Sequence, residues 1–415
     1  MKKPSIMSQN IIILFFLPTI SLTIITLSLI PYFVNSKTLD TDVQVLRLFK
    51  EAIDPISISS TSLLKTWDFD LDPCETTGTH FLGILCTVPE DNSSSRVFVI
   101  DLEGDGFEGF LTPKVENLTE LTVLNLSRNK FRGPIPNSIT RLRKLTSLQL
   151  SGNFFSGPLP DDLNRLKKLE NLDLSQNKLS GSIPKEITAL RRLTYLGLSN
   201  NALSGRIPDI SGLWQLSTLD FGNNQLYGSL PNLPAKLRTL SLNQNLISGH
   251  ILPVRMLQRL NTLDISNNRF SGIIDQKILT LPEIKFINAS ANLFTTIEVV
   301  EFRGRSSNLR VLDAHSNRLH GNLPVNLITY HSLTAIYLGH NLFSGRIPVE
   351  YSRKIGESWR KLFLEYNFLE GNVPNRFANK ARRFRGSLAF NCLHCPKNIT
   401  ICHEGQRPAT ECVRS

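Results

Sequence analysis

The sequence predicts an α/β-type solenoid of about twelve short coils, with parallel strands on a concave face, an irregular or 3-10 convex side, and a cysteine-stapled cap at each end. Three observations predict it. The phrase LENLDLSQN at residues 169–177 recurs in outline along most of the 415 residues. Its closing asparagine returns at a nearly constant step. The six cysteines all lie outside the repeats, two before them and four after.

The asparagine stands at Asn129, Asn153, Asn177, Asn201, Asn224, Asn245, Asn268, Asn292, Asn317, Asn341 and Asn367, and Asp105 holds the same slot one unit earlier. Steps are mostly 23 to 25 residues, with one of 21 and one of 26. A period of this length carrying L-x-x-L-x-L-x-x-N is the leucine-rich-repeat signature. In LTVLNLSRNKF, residues 121–131, strand alternation sends Leu124 and Leu126 inward and Val123, Asn125 and Ser127 outward. Asn129 ends the strand, because an amide side chain both donates and accepts and so satisfies turn backbone that is otherwise orphaned. GPIP at 133–136, GPLP at 157–160, GSIP at 181–184 and GRIP at 205–208 and 345–348 then turn the chain back. No unit buries its leucines alone, whereas stacked units share one continuous core. The product is an extended curved wall, suited to gripping something large.

Taken in chain order, four segments follow. Residues 1–36 carry Lys2 and Lys3 ahead of an apolar run from Ile11 to Val34, interrupted by Pro18 and Pro31. That reads as a secretory signal peptide, with a retained signal anchor as the competing reading. Residues 37–95 form an N-terminal cap, 96–385 the solenoid, and 386–415 a C-terminal cap and tail. After the first run no apolar stretch approaches the ~20 residues of a membrane helix, and the polar ending RPATECVRS argues against a lipid anchor. Charged residues are 20% and hydrophobic ones 41%, which excludes a disordered chain and a broadly membrane-embedded one. After Asn292 the stretch TTIEVVEFRGRSSNLRVL lacks the G-x-I-P turn, so the array is irregular there.

The G-x-[IL]-P ending resembles the plant extracellular leucine-rich-repeat family: receptor-like kinases, receptor-like proteins without kinases, and secreted polygalacturonase inhibitors. Asp42 to Lys50, then Asp54-Pro55, Trp67, Pro73-Cys74 and Gly83 to Cys86 are similar to that family's N-terminal cap. Phe81 departs from it, standing where the family usually has Trp. NCLHC at 391–395 is similar to the C-terminal cap. The resemblance covers roughly residues 38 to 412. It implies a non-enzymatic apoplastic recognition module, binding a peptide or protein ligand and working with a membrane co-receptor, since the sequence holds no kinase. The alternatives are an inhibitor of a wall-degrading enzyme and a structural wall protein held by pectin.

In an oxidising compartment Cys74 and Cys86 pair across a loop of about a dozen residues, with Trp67 beneath. Cys392, Cys395, Cys402 and Cys412 allow three pairings, among which spacing does not choose. A metal site from Cys392, Cys395, Cys402, His394 and His403 is the weaker alternative to disulfides. The Asn-x-Ser/Thr triplets at Asn92, Asn117, Asn125, Asn288 and Asn398 are candidate glycosylation sites. Asn125 and Asn288 fall on the concave face, where glycans confine binding to the remaining rungs.

Outward strand positions read as columns. The central one runs Asp101, Asn125, Gln149, Asp173, Gly197, Asp220, Ser241, Asp264, Asn288, Asp313, Tyr337, Phe363. Its aspartates are either an acidic lane for a basic partner or ordinary solvated positions. Late rungs gain Phe286, Asp313, His315, Tyr337, His340, Phe363 and Tyr366, and exposed aromatics concentrate at binding hot spots. This is the candidate contact zone, unless the C-terminal cap covers Phe363 and Tyr366. Arg141, Arg143, Lys144, Arg165, Lys167, Lys168, Arg191 and Arg192 occupy equivalent places before three successive strands and form a basic edge. A cell-wall polyanion is the functional reading of that edge, a solvated surface the plain one; nucleic acid is not an expected partner. No cofactor is expected. His315 and His340 near Asp313 invite a hydrolase reading, but no Ser or Cys stands beside them in a strained turn and no G-x-S-x-G occurs.

Overall fold

A computed structural model describes residues 37–91, 93–301, 307–374, 377, 384–396, 399–402 and 405–412. Residues 1–36, on which the signal-peptide reading falls, and Asn92, Asn398 and His403 lie outside the described residues.

Among them, one fourteen-stranded sheet runs from Ile84–Cys86 to Arg385–Ser387. The first strand pairs antiparallel with Val97–Asp101; every later pairing is parallel and in register, Leu124 against Leu148 against Leu172. Those aligned leucines are fully buried, and each contributes about 1.5–3 kcal/mol by leaving water. The asparagine slot works as the alternation requires. Asn129 Nδ2 donates to the carbonyls of Leu102, Leu126 and Ser127, and its Oδ1 accepts from Phe107 N at 2.9 Å. The same four bonds recur down the array, so each asparagine ties its own rung to the one before. Asp105 accepts from Leu63 N of the N-terminal cap at 2.7 Å. In this first rung the partner is a cap N–H, and an acceptor suffices.

The residue before each asparagine is held in the left-handed region, from Arg128 at φ 57° to Phe390 at φ 53°. The turn glycines are too: Gly205 has φ +85°, and a Cβ on Gly345 would meet Asn322 Oδ1 at 2.4 Å. Beyond these turns the chain makes 3-10 helices such as Asn137–Arg141 and Lys185–Ala189, and a second set of strands. That second set splits in two, nine strands ending at Leu293–Ile297 and four beginning at His320–Asn322. The split falls in the stretch without a G-x-I-P turn.

The N-terminal cap is a helix, Asp40–Glu51, whose Val45, Leu46 and Phe49 cover the first rung. Asp42 is buried and takes Arg96 Nε and Nη2 at 3.0 Å each, and Val97 N at 2.9 Å. Cys74 bonds Cys86, and Trp67 is buried with its indole N–H donating to Leu82 O at 3.0 Å. Phe81, the departure from the family pattern, is also buried, packed between Trp67 and Phe69. At the other end the structure selects Cys392–Cys412 and Cys395–Cys402 from the three pairings. Those bonds consume the three thiols, Cys392, Cys395 and Cys402, of the alternative metal site.

Candidate ligand-binding face

The central column is built first by local hydrogen bonds. Asp173 Oδ1 accepts from Ser175 N at 3.1 Å and Ser175 Oγ at 2.7 Å, and Asp264 does the same with Ser266. Asp220 accepts from Gly222 N at 3.1 Å. Asp or Asn here caps the strand end two residues on, a turn in which these side chains substitute for backbone. The scattered aspartates therefore have a structural role before any acidic lane is considered. Tyr195 lies across Gly197, where a Cβ would come 2.9 Å from its hydroxyl. Burial, then Asp173 and Asp220, push that phenol up to about 12.

The tenth rung replaces serine with histidine. Asp313 Oδ1 accepts from His315 N at 3.1 Å and lies 2.6 Å from His315 Nδ1. That hydrogen bond raises the imidazole above its ordinary value; burial opposes it, and the charges of Asp313 and Glu365 add to the rise. On the next rungs Tyr337 and Phe363 stack with centroids 5.2 Å apart, and Lys361 Nζ sits 5.9 Å from the Tyr337 ring centre. Both rings remain half-exposed, so the C-terminal cap does not cover Phe363. Phe286 is 42% exposed three rungs earlier.

His340 does not join Asp313. It stacks on Tyr366 at 4.2 Å, and Tyr366 stacks on Phe390 at 4.3 Å. All three occupy the left-handed slot, which costs bulky residues about 1–2 kcal/mol each. Ring stacking offsets part of that. Phe390 was missed by the sequence reading, together with a thirteenth rung. Its strand Arg385–Ser387 continues the sheet, and Asn391 Nδ2 bonds the carbonyls of Leu364, Leu388 and Ala389. One further step of 24 from Asn367 would have found it.

The basic edge is partly neutralised. Arg141 pairs with Glu116 at 3.0 Å, Lys144 with Glu120, and Arg165 with Asp162 at 2.8 Å. Arg143, Lys167, Lys168, Arg191 and Arg192 are exposed without ion pairs among the described residues, and Lys167 and Arg191 border an open groove of about 480 Å³. Asn117 is exposed. Asn125 is 5% exposed, and its amide protons go to Asp101 Oδ1 at 3.0 Å and Glu103 Oε2 at 3.1 Å. A sugar on that nitrogen is incompatible with this pairing. Asn288 uses Oδ1 for Ser290 and is half-buried.

Leucine-rich-repeat family models match residues 160–203 and, separately, 120–142, 144–166 and 259–281. Solved structures extend the likeness. A TDR receptor is 30% identical over 70% of this chain and 51% of that one, with a TM-score of 0.64. The present chain belongs to the plant extracellular leucine-rich-repeat family. This leucine-rich-repeat chain is also similar to the plant peptide hormone receptor RGFR1 in complex with RGF2 (25% identity, 74% of this chain, 57% of that one, TM-score 0.54). A plant ice-binding protein matches at 25% identity, over 88% of this chain and 99% of that one, with a TM-score of 0.57. The chain thus spans about half the length of the receptor ectodomains it matches. Among the described residues no helix is long and apolar enough to cross a membrane.

Proposed function

We propose that the chain is a non-enzymatic extracellular recognition module that binds a peptide or protein on the concave face of its last five rungs, with a membrane-held co-receptor as second partner. One observation carries the reading. The Tyr337–Phe363 stack stands half-exposed on an open sheet, flanked by the Asp313–His315 pair and Lys361, where earlier rungs hold small polar residues. Aromatic anchors beside paired charges are the composition of an interface centre. The similarity to a receptor solved with its peptide hormone supports the ligand class.

The test is a selection of random peptides of ~12 residues on the secreted chain, repeated on a Tyr337→Ala/Phe363→Ala variant. The reading expects peptides that bind the parent and lose about 10-fold or more on the variant. No selected peptide, or binding indifferent to the two rings, overturns it. Ice binding is a second reading, favoured by the match along nearly the whole ice-binding protein. Thermal hysteresis from the secreted chain would replace the first reading with that one.

A further inference from the structure

The strand register exposes an arrangement invisible along the sequence. Besides the central column, each rung contributes the residue just before its strand and the first residue of the strand. Over rungs nine to thirteen these are Lys285 and Phe286, Arg310 and Val311, Thr334 and Ala335, Arg360 and Lys361, and then Arg385. Five cations line one side of the Tyr337–Phe363 stack. Lys285 is half-buried and the other four are exposed; none has an ion pair among the described residues. On the concave strands of these rungs the acids are Asp313, which stands in the aromatic column one rung before Tyr337 and is already engaged by His315, and Glu365, two residues beyond Phe363.

The first six rungs have the opposite balance. Asp101, Glu103, Glu170, Asp173 and Asp220 face outward there, no cation stands at the register positions that the later cations hold, and Arg128, in the left-handed slot, pairs with Glu103 at 3.4 Å. Between the halves Arg238 is neutralised by Glu283, also at 3.4 Å. The face is therefore electrically polarised along the stack, negative early and positive late.

Rungs lie about 4.8 Å apart, so the cations span roughly 19 Å, which an extended peptide covers in about six residues. Charges on adjacent rungs fall within one Debye length, ~8 Å at physiological salt, and the gap across Thr334, about 10 Å, is little longer, so they act together on a bound anion. Burying any of them against an apolar partner leaves a desolvated, unpaired charge, which opposes binding. Complementary charge is then the condition for occupying this site.

We infer that the ligand of the late rungs is an acidic peptide segment, an extended run carrying several carboxylates beside an apolar or aromatic residue. Its carboxylates lie on Lys285, Arg310, Arg360, Lys361 and Arg385, and its apolar side chain lies on Tyr337 and Phe363. Any basic part points toward the early rungs. The inference rests on the concave-face reading and adds the ligand's chemistry and direction to it.

The peptide selection described above tests both and separates them. Its pool is sequenced for net charge on three proteins: the parent, K285E/R310E/R360E, and an edge variant K167E/K168E/R191E. Five of the six replaced side chains are exposed and Lys285 is half-buried, so a glutamine series at 285, 310 and 360 controls for folding. The parent is expected to enrich Asp and Glu, the stripe variants to lose that enrichment with about 10-fold weaker binding of the parent's peptides, and the edge variant to keep it. Ring-dependent peptides without acidic enrichment overturn this inference and leave the concave-face reading standing. The inference equally fails if the enrichment survives in the stripe variants or disappears in the edge variant. A selection that yields no peptide refutes the concave-face reading, and this inference with it.

Discussion

Replacing Asn341 with alanine removes a side chain that is 4% exposed and joins two rungs. Its Nδ2 donates to Ala314 O at 3.0 Å, Leu338 O at 3.1 Å and Gly339 O at 3.1 Å, and its Oδ1 accepts from Leu319 N at 3.0 Å. Alanine leaves the buried Leu319 N–H without an acceptor, at about 1–3 kcal/mol. Three carbonyls lose one partner each, and an unfilled space adds to the cost, so the expected loss is about 2–4 kcal/mol. In a solenoid each rung touches only its neighbours, so the loss is local and a single unfolding free energy is a poor readout. Amide hydrogen exchange reads it directly. The Leu319 amide should exchange roughly 30–700-fold faster, at about 1.4 kcal/mol per tenfold, with Leu338 and nearby rungs affected, while Leu124 and Leu148 stay unchanged. Asn341→Asp keeps the acceptor and loses the donors, so Leu319 should retain more protection than in the alanine variant. Loosening below about threefold at Leu319, or loosening spread evenly over the array, would refute the ladder argument.

Three other outcomes follow from the same geometry. Asp42→Ala strands Arg96 and the buried Val97 N–H, and should cost about 3 kcal/mol; the check is early loss of protection in the cap and first rungs, and an unchanged cap contradicts it. His315 should titrate by NMR above its ordinary 6.5, and Asp313→Asn should bring it down. Since its folded value is raised, the pair's stabilisation is complete below the unfolded pKa and fades as pH rises through the folded one; a midpoint at or below 6.5 in the parent would oppose this. Lys361→Ala should weaken a ligand seated on the Tyr337 ring by about 2–10-fold, measured by fluorescence anisotropy, with no change in fold.

Much of the fold could be read from residues alone because the repeat is its own instruction. Asn129 and its equivalents mark each strand end, and the glycines of G-x-I-P mark each turn. The absence of that turn after Asn292 marked the place where the second sheet breaks. The thirteenth rung was obscured by its cysteines: Asn391 begins NCLHC and was read as cap, although the same asparagine closes a repeat. Aromatic candidates such as Tyr337 and Phe363 were legible because alternation alone assigns them outward. Contacts across rungs were not. The stack of His340, Tyr366 and Phe390 depends on a backbone slot, and the buried Asp42–Arg96 pair joins residues 54 apart. The cationic stripe needed the strand register, since Lys285, Arg310 and Arg360 are spread over three repeats.

The central claim is that the late concave rungs hold the ligand. Hydrogen exchange of the purified chain, with and without a selected acidic peptide, tests it most directly. The account predicts new protection confined to residues 285–288, 310–315, 335–340, 360–366 and 385–390. Protection on the basic edge, on the second sheet or over the early acidic rungs, with none in those five segments, would contradict it.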